Sequence, residues 1–209
     1  MSTEIKPKSD PRAPWNKARL VGQKRPLRPK EVWAIRVRLQ IKHCKRDLAM
    51  FNLAIDSKLR GCDLVSLQVD DIASSGHVRD RATIVQHKTG RPVQFEITEQ
   101  TRASLQDWLI VRPPDRGPYV FPSRLHDQPR LTARQYARIV HGWIAGAGMD
   151  STAYGTHSLR RTKAAQIYRK TGNLRAVQLL LGHTKIESTV RYLGIEVDDA
   201  LMLSEQVEL

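Results

Sequence analysis

The sequence predicts a mainly helical α+β fold that contains one small antiparallel sheet. Apolar residues recur at helical spacing through most of the chain beyond position 29, which indicates several amphipathic helices. Two β-branched runs, 82–86 and 92–97, flank a glycine-containing turn and predict a hairpin. Hydrophobic residues make up 40% of the 209 positions, which is enough for the core of one domain.

The segment 1–29 has the composition of a basic, proline-rich flexible tail. Its five prolines, at positions 7, 11, 14, 26 and 29, interrupt any helix. The first 30 positions hold nine Lys or Arg against two acidic residues, which is half of the chain's net charge of +14. Such an arm can stay solvated or lie along DNA phosphates, and the two behaviours are compatible. We therefore expect the folded domain at 30–209.

The first predicted helix begins with Pro29 in its first turn and carries two apolar stripes. One stripe consists of Val32, Ile35 and Leu39. The other consists of Trp33, Val37, Ile41 and Cys44. The spacing alone leaves open which stripe is buried. The tryptophans at positions 33, 108 and 143 are expected to be packing residues.

A second helix is expected at 47–57, and Gly61 is expected to separate it from a short helix that ends near 69–72. The run 74–76 reads as a turn. Beyond the hairpin, further helices are predicted at 98–111, 132–146, 156–168, 174–181 and 188–192, with a weak amphipathic helix at 198–207.

The charge and cysteine content restrict the class of protein. A net charge of +14 and a pI of about 10.2 favour a polyanionic partner, although ribosomal, histone-like and membrane-surface proteins share this property. Two cysteines without a CxxC motif argue against a zinc ribbon or a disulfide scaffold. The sequence has neither an apolar run long enough for a bilayer nor a signal-peptide pattern. We expect a soluble cytoplasmic protein associated with the nucleoid.

The stretch 157–192 concentrates side chains that phosphate chemistry uses. It contains His157, Arg160, His183 and Tyr192. Arginines hold phosphate oxygens, histidines carry protons, and a tyrosine hydroxyl can act as a nucleophile. A zinc site at the two histidines is disfavoured, because no HExxH motif or cysteine partner accompanies them.

These residues, in this order, resemble the tyrosine recombinases, also called phage-type integrases. His157 and Arg160 match the His-x-x-Arg at a helix start. His183 follows a glycine twenty-three residues after Arg160, and Tyr192 follows nine residues later, as in the family pattern. The resemblance covers about residues 30–195.

Two upstream motifs extend the resemblance. Arg60 resembles the first arginine of the family, and Asp63 stands at its supporting acidic position. Lys88, at the tip of the predicted hairpin, resembles the hairpin lysine. Each motif is weak alone, whereas the ordered set with matched spacings is specific.

The resemblance implies a reaction at a DNA phosphodiester. Tyr192 would attack the phosphorus, leaving a 3′-phosphotyrosyl link and a free 5′-hydroxyl. Arg60 and Arg160 would hold the non-bridging oxygens, and His183 would donate a further hydrogen bond. Lys88 would protonate the departing oxygen. The arginines would replace a metal, so no metal or other cofactor is expected.

The resemblance also implies how the proton of Tyr192 is handled. His157 would accept or donate a proton beside the tyrosine, a role that suits the ordinary histidine pKa of about 6.5. The surrounding cations are expected to favour the ionised tyrosine.

The expected partner is double-stranded DNA. Candidate DNA contacts outside the catalytic set are Lys24, Arg25, Arg28, Arg91 and Arg161. The resemblance implies a homo-oligomer on DNA, a tetramer on two sites, and a monomer or weak oligomer without DNA. The segment after Tyr192 would dock on a neighbouring protomer, and an accessory DNA-binding protein is a further candidate partner.

The sequence departs from the family pattern in two places. Arg161 stands where many members carry a second histidine, and a small effect is expected. Only a tail of roughly 30 residues precedes the predicted domain, as in short inversion-type recombinases, whereas complete integrases carry a separate helical domain. Two rival functions stay open, a non-catalytic DNA-binding regulator with the same fold and an RNA- or ribosome-binding protein.

Overall fold

The computed structural model describes residues 23–124 and 128–194, and helices form most of this part of the chain. The first four are α1 (Pro29–Ile41), α2 (Lys45–Ser57), α3 (Gly61–Val65) and α4 (Val69–Ile72). The later five are α5 (Glu99–Val111), α6 (Ala133–Gly146), α7 (Thr156–Thr171), α8 (Leu174–Leu181) and α9 (Ile186–Leu193). The mainly helical α+β prediction is confirmed. The helix predicted at 198–207 lies outside the described residues.

Two short antiparallel hairpins lie between α4 and α5. The larger pairs β3 (Arg81–Val85) with β4 (Pro92–Glu96), in register from Arg81 opposite Glu96 to Val85 opposite Pro92. The smaller pairs β1 (Ala73–Ser74) with β2 (His77–Val78). The sequence predicted the larger hairpin but only a turn at 74–76, because a two-residue strand leaves no periodic signal.

Helix α2 lies at the centre of the fold and packs against α1, α5 and α7. The nine residues from Ala49 to Ser57 are all buried, so no face of the helix meets water over that stretch. A helix buried on every side needs neighbours on every side. The elements that cover α2 are α1, α5, α7 and β4.

The stripe of α1 that faces α2 is the one formed by Val32, Ile35 and Leu39, which are buried. The alternative stripe faces outward, since Trp33 is 67% exposed. The prediction that Trp33 is a packing residue is therefore wrong. The predictions for the other two tryptophans are confirmed, because Trp108 and Trp143 are buried.

The break after α2 comes from Lys58 and not from Gly61. Lys58 has a φ of +54° and ends the helix in the left-handed region, whereas Gly61 is the first residue of α3. Gly61 is needed for a different reason. A Cβ atom there would lie 3.1 Å from the ring of Tyr136 on α6, so the glycine permits the close approach of α3 to α6.

Charged side chains join α2, β4 and α7 in a largely buried network. Lys163 Nζ lies 2.8 Å from Asp56 Oδ1 and 2.7 Å from Glu96 Oε1. Lys58 Nζ, which is buried, lies 2.8 Å from the same Glu96 oxygen and donates to the carbonyl of Asp56. Two cations and two carboxylates thereby balance each other in the interior.

Residues 23–28 form an extended segment, here called the N-terminal strap, that lies against α7 and the loop before it. Leu27 is 2% exposed, and its N–H donates to Thr162 Oγ1 at 3.0 Å. This part of the predicted flexible tail is therefore packed on the domain. The predicted tail positions 1–22 lie outside the described residues. No helix within the described ranges combines the length and apolar character needed to cross a bilayer.

Candidate active site

Arg60 is placed by the turn between α2 and α3. It is the N-cap residue of α3, with extended backbone angles, and its side chain is half-buried. Its Nη1 donates to Gln86 Oε1 at 2.5 Å, at the end of β3. The guanidinium is thereby tied to the base of the hairpin that carries Lys88.

Lys88 lies in the β3–β4 turn and is exposed. Asp63, which is buried on α3, anchors this turn. Its Oδ1 accepts the backbone N–H of His87 at 3.0 Å and lies 3.2 Å from His87 Nδ1. Asp63 thus stands where the sequence predicted a supporting carboxylate, and the group it supports is the residue next to Lys88.

Arg160 lies in the second turn of α7 and is almost completely buried. Its Nη2 donates to the carbonyl of Leu181, at the end of α8, at 2.8 Å. Its Nη1 has no hydrogen-bond partner among the described residues. Burial lowers the pKa of Arg160, but a guanidinium keeps its proton at any working pH. One charged donor group is therefore left to bind an anion.

His183 follows Gly182, which ends α8 in the left-handed conformation. Its Nδ1 lies 3.1 Å from Thr189 Oγ1, and its backbone carbonyl accepts from Gln178. Burial, and then the charges of Arg160 and Arg60, lower the pKa of His183 to about 4. His183 is therefore neutral at neutral pH, with one ring nitrogen as a donor.

His157 lies in the first turn of α7. Burial, followed by the charges of Arg160, Arg161, Arg60 and Lys88, lowers the pKa of His157 below its ordinary value. The expectation of an ordinary histidine pKa was therefore wrong. The residue types were readable from the sequence, whereas the burial and the converging cations are tertiary properties.

Tyr192 lies on α9, and its hydroxyl is 3.5 Å from the carbonyl oxygen of His157. Its ring meets that of His183 edge to face, with centroids 5.3 Å apart. Burial raises the pKa of Tyr192, and the opposing effects of Arg160, Arg161 and Arg60 are smaller. The cations do favour the ionised tyrosine, as expected, but burial outweighs them in this state of the site.

All six predicted catalytic side chains line one open cavity of about 320 Å³. The lining residues are Arg60, Lys88, Thr89, His157, Arg160, Gly182, His183, Thr184, Ser188 and Tyr192. None of these ten carries a carboxylate, so the walls that the structure describes are cationic or neutral. Such a cavity suits an anion held against a phenolic hydroxyl.

Comparison with known proteins places this arrangement in a family. The family model described as the phage integrase family matches residues 25–197. The chain belongs to the phage integrase family. The predicted resemblance is thereby confirmed. The match includes the whole of the cavity described above.

Named relatives agree with this family assignment. The chain is 29% identical over 154 residues to a probable integrase/recombinase, YoeC, of Bacillus subtilis, covering 74% of this chain and 80% of YoeC. It is 31% identical over 152 residues to tyrosine recombinase XerC of Chromobacterium violaceum, covering 72% of this chain and 48% of XerC. The chain thus spans about half the length of that XerC.

Solved structures show the same fold. XerA recombinase superimposes with a TM-score of 0.72 at 19% identity, covering 88% of this chain and 65% of that one. XerH recombinase in a post-cleavage complex with a palindromic difH substrate superimposes with a TM-score of 0.68 at 22% identity. That match covers 88% of this chain and 53% of XerH.

Gln86 is a residue of this integrase site that sequence reasoning missed. It is buried, and its Oε1 accepts hydrogen bonds from both Arg60 and Thr89. Its Nε2 donates to the carbonyl of Leu181 at 3.4 Å, the same oxygen that Arg160 contacts. One amide therefore links the two arginines and the hairpin. The available signal was a glutamine at a strand end beside a cationic turn.

The sequence predicted Gly182 as the end of the helix 174–181 and as part of a Gly-His motif, but nothing in it indicated a contact with the hairpin. It has a φ of +66°, and a Cβ there would lie 2.5 Å from Val93 Cγ2 on β4 and 3.2 Å from Gln86 Nε2. The glycine thus brings the end of α8 against the hairpin, which positions His183 beside the cavity.

The candidate DNA contacts of this integrase domain are not all equally accessible. Arg25, Arg28 and Arg91 are exposed, and Lys24 is half-buried. Arg161 is 6% exposed, so the expectation that it contacts DNA directly is wrong. Its guanidinium is enclosed between the N-terminal strap and the ring of Tyr192.

Proposed function

We propose that this chain is a site-specific DNA recombinase that cuts and rejoins strands through a 3′-phosphotyrosyl intermediate. The observation that carries the proposal is the single cavity in which Tyr192 lies beside two arginines, two histidines and Lys88. Structures of a similar protein support it, because XerH forms a pre-cleavage and a post-cleavage complex with difH DNA. The family assignment supports the same class of reaction.

The proposed reaction begins with a phosphodiester bound in the cavity. Arg60 and Arg160 hold its non-bridging oxygens and stabilise the negative charge of the transition state. The free Nη1 of Arg160 supplies one of these contacts. His183, neutral at working pH, donates a hydrogen bond without adding a net charge.

The attacking oxygen of Tyr192 and the departing 5′-oxygen then lie on opposite sides of the phosphorus. The hydroxyl oxygen of Tyr192 forms a bond to phosphorus as the bond from phosphorus to the 5′-oxygen breaks. Burial raises the pKa of Tyr192, so its proton has to pass to an acceptor during attack. Neutral His157, whose backbone carbonyl lies 3.5 Å from the hydroxyl, is the proposed acceptor. Lys88 at the exposed hairpin tip donates a proton to the departing oxygen. The reverse sequence rejoins a strand without ATP.

The assembly that performs this reaction is also a proposal. The excess of basic residues supports double-stranded DNA as the substrate. A tetramer on two DNA sites, docking of the segment after Tyr192 on a neighbour, an accessory DNA-binding protein and nucleoid association stay predictions. These partners would bear on DNA binding, because several relatives contain sequence beyond the region that this chain matches.

A nicked suicide substrate tests the proposal directly. The protein is incubated with a nicked duplex containing candidate sites from its own flanking DNA, and products are separated on a denaturing gel. We expect a covalent protein–DNA adduct that is absent in Tyr192→Phe and retained in Tyr119→Phe, the matched control. Tyr119 lies outside the cavity, with Arg130 stacked on its ring.

The rival functions predict different outcomes. A regulator with this fold would bind the duplex and form no adduct, and its DNA affinity would not change in Tyr192→Phe. An RNA-binding protein would prefer RNA over the duplex at equal salt. Salt sensitivity does not discriminate, because every polyanion-binding function weakens as salt rises.

A further inference from the structure

The N-terminal strap and the nucleophile meet at Arg161. Arg161 Nη1 donates to the carbonyl oxygen of Lys24 at 2.5 Å. On its other side, Arg161 Cζ lies 4.8 Å from the ring centroid of Tyr192, closer than the 5.8 Å of Arg160. A guanidinium this close to an aromatic ring face is attracted to it and restricts the ring's motion.

The strap contacts the nucleophile's helix on the main chain as well. Gln23 Nε2 donates to the carbonyl oxygen of Arg191 at 2.5 Å, one residue before Tyr192. This carbonyl lies in the last turn of α9, and the ends of helices lose order first. The contact with the strap therefore stabilises the end of the helix that carries Tyr192. The helix has only eight residues, Ile186–Leu193, so it depends on outside contacts for its position.

The strap is itself held at several points along α7 and the preceding loop. Leu27 is buried and its N–H donates to Thr162 Oγ1, one residue beyond Arg161. The guanidinium of Arg25 stacks over Tyr154 at 5.5 Å, and Lys24 Nζ donates to the carbonyl of Thr152. The segment is thus fixed at one end by α7 and reaches α9 with the other.

The surroundings of Arg161 indicate no other role for it. It is nearly buried and does not line the cavity, so it is not placed to hold the phosphate. Its Nε has no hydrogen-bond partner among the described residues. Keeping a cation in such a place has a desolvation cost, and that cost is offset where the cation faces the phenol and the Lys24 carbonyl.

We propose that Arg161 is a positioning residue for Tyr192 and that the N-terminal strap holds both Arg161 and α9 in the arrangement that attack requires. The proposal rests on the proposed function for its consequence, since Tyr192 has to be the nucleophile. It assigns a larger effect to Arg161 than the small one expected from the sequence. The other cations near the phenol, Arg160 and Arg60, belong to the phosphate-binding walls.

Substitutions at Arg161 in the full chain test the first half of the proposal. Arg161→Gln is expected to slow adduct formation on saturating suicide substrate on the order of tenfold. DNA affinity is expected to stay within roughly threefold of the wild-type value, because Arg161 is buried away from the cavity. Arg161→Lys, which keeps a cation and a donor, should recover part of the rate. Arg169→Gln, an exposed arginine on the same helix, is the matched control.

A spectroscopic titration separates positioning from general destabilisation. The ¹³Cζ signal of labelled Tyr192 is assigned by its loss in Tyr192→Phe and followed against pH. We expect the pKa of Tyr192 to rise in Arg161→Gln and to stay close to the wild-type value in Arg161→Lys, because a nearby cation favours the phenolate. Equal titration and equal adduct rates in all three proteins would overturn the assignment of Arg161.

Hydrogen exchange tests the strap itself. Leu27→Ala is expected to accelerate amide exchange in 186–194 and to slow adduct formation without changing DNA affinity. Unchanged exchange in 186–194 would overturn the role of the strap. If wild-type protein forms no adduct, the proposed function fails, while the titration and exchange readings still decide this proposal. If Arg161→Gln does not fold, Arg161→Lys and Leu27→Ala decide it.

Discussion

At the scale of single residues, Gln86 is the group on which the two arginines depend. Gln86→Leu keeps a similar volume but removes the acceptor for Arg60 and the donor to Leu181. A hydrogen bond to a charged group contributes about 1.5–3 kcal/mol. We expect adduct formation at saturating DNA to slow by roughly tenfold or more, measured as a single-turnover rate.

The matched control for that change is Gln94→Leu, an exposed glutamine on β4 of the same hairpin. If both variants react at the same rate, the amide of Gln86 has no part in placing Arg60. Gln86→Glu adds a second test. A carboxylate would still accept from Arg60, but it would lose the donor to the Leu181 carbonyl, so an intermediate rate is expected.

At the scale of elements, the approach of α8 to the β3–β4 hairpin sets the shape of the cavity. Gly182 and Gly172 end α8 and α7 with φ values of +66° and +63°. A Cβ at Gly182 would collide with Val93, whereas at Gly172 nothing lies within 4 Å. Gly172→Ala should therefore lose about 1–2 kcal/mol of unfolding free energy from backbone strain alone.

Gly182→Ala should lose more stability than Gly172→Ala in urea unfolding, because the helix end and the hairpin have to separate. Only Gly182→Ala should also slow adduct formation. The difference between the two variants isolates the close contact from the strain they share. Equal losses, with no change in rate, would mean that the contact at Val93 does not hold the cavity together.

The same elements show what the sequence could predict. The bounds of α5 and α8 were predicted to within one residue, because apolar periodicity and Gly or Pro stops define them locally. Six of the ten residues that line the cavity were named in advance, from the order and spacing of motifs that resemble the family pattern. The burial of individual side chains could not be predicted from the local sequence. The buried stripe of α1, the exposure of Trp33, the interior place of Arg161 and the direction of the Tyr192 pKa all depend on packing between distant segments.

At the scale of the whole molecule, the buried charge network connects the segments that carry the cavity-lining cations. Asp56 and Lys58 precede Arg60, Glu96 ends the strand returning from the Lys88 turn, and Lys163 is one turn beyond Arg160. Lys163→Met leaves two carboxylates short of a cation in the interior. We expect it to lower the unfolding free energy by about 2 kcal/mol or more at pH 7.

The pH dependence of this effect has a defined sign. Burial opposes ionisation of Asp56 and Glu96. Hydrogen bonds from Lys163, Thr101 and Thr98 at Asp56, and Lys58 with Lys163 at Glu96, outweigh it and hold the pKa of each carboxyl below its ordinary value. Their contribution to stability is present above the unfolded pKa values of about 3.9 and 4.3 and is lost as the pH falls through the lower folded values.

Urea midpoints of the wild type should therefore fall steeply below about pH 4. In Lys163→Met the fall should be shallower, whereas Lys170→Met, exposed on the same helix, should match the wild type. Parallel curves for all three proteins would show that Lys163 does not couple the two carboxylates to folding.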